Sequence, residues 1–431
     1  MKRLAGLAPL LSLMLPGFAF AADLNVDGTT LLRIEERSAP GFSKQTIAPA
    51  TQFLGIDATD VGAKGLSFHL YGWGRADLAD KSAGDEKTDA NLTYGYVKYR
   101  KGFPNAALIG KAGRFFVFEG IINEQVDGAQ AQILLPYGVT VSAFGGVPVE
   151  LDRGSNTKGD LIGGGRLGFR YGGIFDIGLS GIHERNTYLD TLARADRQLV
   201  GGDIWFSPHR MVDITGRSSY NATTEDFAEH SYQMNIRPGH GLTVAADYSD
   251  ISAKDYTTFA NMIFNTFNSS SNDNLKSYGG SLTYTDLKPL EIFVEYKHFK
   301  RDVTGDADRF GGEIRAALLD GAFMPGFGYR RVSSSSSGSI PSYDQIRAFA
   351  SYVKGPYAGS IDFITDLYDK QFYGTDSDYA YELSGSLGYR ISPVLQLSGD
   401  LAYASNPDYK DQVKGLVRLT FSYSTVKGAP Q

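Results

Sequence analysis

Six histidines, His69, His183, His209, His230, His240 and His298, are the side chains with the widest chemical range. No two of them stand four residues apart and H-E-x-x-H is absent, so no helical metal site is spelled out. His183-Glu184 is the only candidate acid–base pair, and without a G-x-S-x-G elbow the chain reads as a non-enzyme. Gly163-Gly164-Gly165-Arg166-Leu167-Gly168 fits the dinucleotide pattern G-x-G-x-x-G. That pattern needs a helix behind it, and here a strand-like run follows through Phe169 and Tyr171. With no Cys there is no disulfide, zinc–thiolate centre, iron–sulfur cluster or covalently attached c-type haem. No metal or cofactor is expected. Lys plus Arg number 42 against 48 Asp plus Glu, a net charge of -6, so nucleic acid is not the expected partner.

What the charged residues do offer is a pattern. From Leu66 to Leu78, Leu66, Phe68, Leu70, Gly72, Gly74 and Ala76 fall on one side, and Ser67, His69, Tyr71, Trp73, Arg75 and Asp77 on the other. Successive strand side chains point to opposite faces, so this is a strand with one oily and one wet face. The pattern recurs: Leu290, Ile292, Val294 and Tyr296 oppose Glu291, Glu295 and Lys297, and Val212, Ile214 and Gly216 oppose Asp213, Thr215 and Arg217. Leu383, Leu387 and Tyr389 oppose Ser384, Ser386 and Arg390, and Val413, Val417, Leu419 and Phe421 oppose Gln412, Lys414 and Arg418. The wet faces place Arg75, Asp77, Lys111, Glu119, Asp127, Arg217, Asp247, Glu291, Glu295, Lys297, Asp362, Asp366, Lys414 and Arg418 along a water-filled interior.

Turns punctuate the strands. Gly102-Phe103-Pro104-Asn105, Pro136-Tyr137-Gly138, Tyr171-Gly172-Gly173, Ser207-Pro208-His209, Pro238-Gly239-His240, Lys288-Pro289, Gly355-Pro356 and Ser392-Pro393 are tight. The alternate connections, such as 80–87, 333–339 and 375–378, are longer and polar. Tyrosines gather near strand ends, as at Tyr171, Tyr248, Tyr284, Tyr389, Tyr403 and Tyr423. Short turns on one side, long loops on the other, aromatic girdles and strands of roughly 10–14 residues are the marks of a membrane barrel. Lipid cannot hydrogen-bond a free strand edge, so the sheet must close. The fold class expected is all-β: a transmembrane antiparallel up-and-down β-barrel of about 22 strands, within roughly 18–24.

Residues 1–21 read as a secretory signal: Lys2 and Arg3, then an apolar run, then Ala19-Phe20-Ala21 as a cleavage pattern. Residues 22–431 are expected to form a single barrel in contact with outer-membrane lipid. Removing two basic residues takes the net charge from -6 to -8.

Lys111-Ala-Gly-Arg-Phe-Phe-Val-Phe-Glu-Gly120 followed by Glu124-Gln-Val-Asp-Gly128 resembles Gram-negative porins. In that family a Gly-Arg strand leads into a third outer loop that folds inward as a constriction. The resemblance implies a passive channel in the outer membrane, often trimeric, in which Arg114, Glu119, Glu124 and Asp127 line or brace the narrowest zone together with Lys111. The sequence also resembles the porin-like barrels of porin–cytochrome conduits, particularly over Gly65-Leu-Ser-Phe-His-Leu-Tyr-Gly-Trp-Gly74. That likeness implies a multihaem cytochrome held in the lumen.

A barrel of this size encloses a wide bore. The first strand follows the cleavage pattern directly, so no plug domain is expected ahead of it. Either a loop or a partner should narrow the hole. The long connection 253–274, with Phe259, Met262, Ile263, Phe264 and Phe267, is the expected lid or docking loop. Mixed lining charges and an acidic total predict mild cation preference. A structural or adhesive barrel is the remote third reading.

Overall fold

A computed structural model describes residues 23–38, 45–79, 88–149, 160–185, 196–252, 273–335, 341–371, 377–406 and 411–425. The expected signal segment and the five apolar residues of the 253–274 connection lie outside the described residues.

The chain forms β1 (Asp23–Ser38), β2 (Gln45–Ile47), β3 (Pro49–Thr59), β4 (Leu66–Asp77), β5 (Thr88–Phe103), β6 (Ala106–Glu119), β7 (Ile122–Leu134) and β8 (Val139–Pro148). It continues through β9 (Leu161–Tyr171), β10 (Phe175–Arg185), β11 (Asp196–His209), β12 (Val212–Asn221), β13 (Asp226–Gly239), β14 (Leu242–Ile251), β15 (Leu275–Tyr284) and β16 (Leu290–Arg301). The remainder are β17 (Ala307–Ala316), β18 (Phe323–Ser334), β19 (Tyr343–Lys354), β20 (Tyr357–Tyr368), β21 (Tyr379–Ser392), β22 (Leu395–Ser405) and β23 (Asp411–Ser424).

β1 pairs antiparallel with both β2 and β3, each strand from β3 onward pairs antiparallel with the next, and β23 pairs back onto β1 from Asn25–Ser424 to Ser38–Asp411. β2 and β3 share one register on β1 and are separated only by Ala48, so together they are one stave. The described residues thus form a closed, up-and-down antiparallel barrel of 22 staves. The tight turns read from sequence all fall on the side where β1 starts and β23 ends.

The alternation has its expected outcome. Leu179, Leu387 and Leu401 are among the most exposed apolar side chains, at 68%, 77% and 63%, and they point away from the axis. Arg75, Glu291, Glu295, Lys297 and Arg418 lie on the opposite parity. An apolar exterior around a charged interior is the polarity that hydrocarbon outside and water inside require. At the rim of the long loops, outward tyrosines donate to carboxylates: Tyr248 to Asp250 (3.1 Å), Tyr296 to Asp308 (2.7 Å), Tyr329 to Asp344 (2.6 Å) and Tyr403 to Asp411 (2.7 Å). A phenol with its ring in lipid and its hydroxyl on a wet carboxylate marks the edge of the apolar band.

The registers also fix the bore. Followed once around the closed sheet, they return to β1 displaced by about 25 residues, which for 22 staves means a strand tilt of about 40°. The backbone cylinder is then about 40 Å across and the space inside its side chains about 30 Å.

Candidate functional site

One hairpin leaves the wall. β5 and β6 pair from Phe103–Ala106 only as far as Gly95–Arg114, although β4 and β5 continue to Ala76–Thr88. β7 and β8 pair up to Val126–Pro148, with one further bond from Val149 N–H to the Gln125 carbonyl. Between these limits β6 and β7 pair only with each other, to Glu119–Ile122. Residues 115–125 are therefore a two-stranded flap bent out of the cylinder.

The bend lies on a rung of glycines. Gly113 pairs with Gly128, and Gly128 with Gly146. Gly113 has φ 125°, a conformation that L side chains rarely adopt. A β-carbon on Gly128 would strike the Gly145 carbonyl, and one on Gly146 the Asp127 carbonyl. Only bare backbone lets three strands approach so closely while two turn inward.

The flap lies against the inner wall. Phe115, Val117, Ile122 and Val126 from the hairpin pack on Phe144 of β8, Ile162 of β9, Ile182 of β10 and Leu199 of β11, and all are buried. Each such side chain contributes about 1.5–3 kcal/mol on leaving water. At the tip, the Ile121 N–H donates to Ser180 Oγ at 3.1 Å, and Gly120 sits against Asp203 and Ser180. The third outer connection therefore folds inward, as the porin resemblance implies. It does so as a tight β-hairpin along the wall, because its apolar face matches β8–β11.

Ionic contacts reinforce that face. Arg197 on β11 donates to Glu184 on β10 at 2.6 Å and to Glu124 on the hairpin. Glu119 accepts from Gln130 Nε2 at 2.7 Å and from Ser142. Glu119 and Glu124 thus brace the hairpin from beneath. The other face carries Arg114, whose Nε and Nη2 reach Asp127 at 2.7 and 2.8 Å. Phe116 and Phe118 stack beside it with centroids 5.6 Å apart, and Phe118 is 68% exposed. Arg114 also donates to the Leu92 carbonyl at 3.0 Å, and Gln125 to the Thr93 carbonyl. These side chains serve carbonyls on β5 that lost their strand partner when β6 bent away.

The other expected lining residues divide. Arg217 donates to Glu229 (2.9 Å), Lys297 to Asp247 (2.6 Å), and Glu295 accepts from both Arg309 (2.9 Å) and Arg330 (2.7 Å). Asp362 pairs with Arg347, Asp366 accepts from Gln345 (2.9 Å), Lys414 lies 3.7 Å from Glu382 and Arg418 3.9 Å from Asp400. Asp77 is drawn into the wall, accepting from the Ala48 and Ala79 N–H groups at 3.3 and 3.0 Å. Arg75, Lys111 and Glu291 face the lumen without an ion pair among the described residues.

Sequence reasoning passed over Arg166, which bonds Asp203 (2.5 Å) and Asp176 (2.8 Å), and the Arg197 cluster. It also passed over Lys98 and the inward rings of Phe53, Tyr94 and Tyr96. Strand parity from Arg75 and Lys111 was the available signal. Beneath the hairpin tip lies a space of about 600 Å³ bounded by Phe118, Glu119, Arg166, Arg170, Asp176 and Trp205.

No protein-family model matches this chain, and no curated protein matches it in sequence. Among solved structures, the ferric enterobactin receptor of Pseudomonas aeruginosa aligns with a TM-score of 0.55 at 10% identity, over 92% of this chain and 81% of that one. The two share the architecture of a closed antiparallel β-barrel. Pseudomonas aeruginosa OpdO also aligns, with a TM-score of 0.45 at 12% identity, over 94% of this chain and 99% of that one.

Proposed function

We propose that the protein is a porin-like channel in the outer membrane of a Gram-negative bacterium, exported through a cleaved N-terminal signal and passing small hydrophilic solutes or ions by diffusion. The observation that carries this reading is the inturned hairpin. It lies along one wall and carries its own dry core, so it narrows a charged lumen without crossing it. A layer about 10 Å thick takes about a third of a bore about 30 Å wide. Selectivity then rests on the remaining width and on lining charges.

The test is conduction by the purified full chain in planar bilayers. Discrete current steps in potassium chloride are expected. Absence of steps, with a haem-staining partner isolated in the same detergent complex, would replace the channel with the second reading. That reading, a sheath around a multihaem cytochrome, draws its support from the bore, which remains wide enough beside the hairpin for a folded partner.

A further inference from the structure

Lumen-facing rings are concentrated on one part of the wall. Phe53 on β3, Tyr71 on β4, and Tyr94 and Tyr96 on β5 adjoin in succession, with centroids 6.3, 5.6 and 5.9 Å apart, the first two pairs stacked and the last tilted by 50°. His69 stacks on Tyr96 at 4.7 Å, and Trp73 stands across from Phe53 in register. The front of this group faces the bore. The hydroxyls of Tyr71, Tyr94 and Tyr96 and the indole N–H of Trp73 take no hydrogen bond among the described residues. The rim tyrosines, in contrast, give theirs to aspartates.

Directly below, Lys98 and Lys111 oppose each other in register on β5 and β6. Like charges placed opposite across a ladder repel. Neither has a carboxylate within ion-pair distance among the described residues. Glu119, which faces Lys111, is already engaged by Gln130 and Ser142. Lys111 Nζ stands 5.9 Å from the Tyr96 ring. Elsewhere along the wall, lumen cations such as Arg166, Arg217, Lys297 and Arg347 have carboxylate partners.

Tyr96 is already packed by His69, by Phe115 of the hairpin core and by the Lys111 ammonium, so the half-buried aromatic surface left toward the bore is that of Phe53, Tyr71 and Tyr94. That surface, the unpartnered hydroxyls and the two uncompensated ammonium groups each call for a different part of a ligand. We propose that this wall binds a sugar anion, a sugar acid or sugar phosphate. The C–H face of the ring lies on Tyr94, its hydroxyls meet the phenols and the Trp73 N–H, and its anionic group sits between Lys98 and Lys111. Successive inward positions on a strand are about 7 Å apart, roughly the length of a hexose, so ring and charge fall on neighbouring positions. An aromatic acid would satisfy the rings and the lysines but leave the hydroxyls unmatched. The inference deepens the channel reading and rests on it for access from solution.

Glucose 6-phosphate is the probe, with glucose and benzoate as comparators, applied to the full chain in two assays. In bilayers it should reduce the potassium chloride current in the millimolar range. In detergent it should change the emission of Trp73, isolated by Trp205→Phe. Lys98→Gln with Lys111→Gln, and separately Tyr94→Ala, should weaken the response about tenfold, equivalent to about 1.4 kcal/mol. Glucose and benzoate should each be weaker than the probe. Benzoate as effective as glucose 6-phosphate would overturn the sugar assignment. No response of the unmodified channel's current to the probe would overturn the site while leaving the channel reading intact. A fluorescence response from a barrel that conducts nothing would retain the site and remove the channel.

Discussion

Gly128 and Arg197 are where single side chains carry the most. A β-carbon at Gly128 meets backbone on β8, so Gly128→Val should destabilise the barrel by about 1–3 kcal/mol or more. Gly399→Ala is the control, since its nearest neighbour would be the Leu416 carbonyl at 3.8 Å. Heat-modifiable migration in detergent reads both, and equal midpoints would contradict the hinge. Arg197→Met strands two buried carboxylates, Glu124 and Glu184, at a cost of about 3–5 kcal/mol. Adding Glu124→Gln and Glu184→Gln should restore part of that loss. At the rim, Arg331 bonds Asp369, just beyond β20, at 2.8 Å and holds its carboxyl below the usual carboxylate range. A depressed value stabilises the fold above the unfolded value and loses that contribution as pH falls through the folded one. Protection of the amides around 368–371, their exchange relative to the unfolded chain at the same pH, should therefore hold through neutral and mildly acidic pH and fall only in strong acid. Asp369→Asn should lower that protection at neutral and mildly acidic pH and match the unmodified chain in strong acid, and a transition near neutral pH would contradict the assignment.

The hairpin is the element that sets the passage. Removing residues 115–125 and joining the strands across the gap should raise single-channel conductance by about one and a half fold, the share of the bore the layer occupies. Unchanged conductance would mean that the narrowest point lies elsewhere. The strands and their faces were legible from the chain, because a period of two survives any registration; the inward course of the third connection was implied only by the porin resemblance of residues 111–120. Three things were not legible. The bulge between Tyr71 and Gly72 inverts the parity of β5, so Asn91 and Asp89 face inward alongside Tyr94 and Tyr96. Arg166 reaches Asp203 two strands away only because Gly178 between them has no side chain. The match of the hairpin's apolar face to β8–β11 depends on closure, which no local window contains.

As a whole, the molecule combines ion pairs of both signs along most of its lumen with an acidic total. Reversal potentials in a salt gradient should therefore show mild cation preference, and clear anion selectivity would contradict it. A weak preference for small cations is compatible with one local site for an anionic sugar, because the first averages over the bore and the second depends on two lysines. The seam adds a consequence in time. β1 and β23 stand at opposite ends of the strand order, yet their ladder runs from Asn25–Ser424 to Ser38–Asp411. Every earlier ladder can zip between neighbours, but this one must wait for the final strand. Until it arrives, the half-made sheet has two raw margins, and a chain interrupted anywhere upstream remains an open sheet seeking a foreign strand.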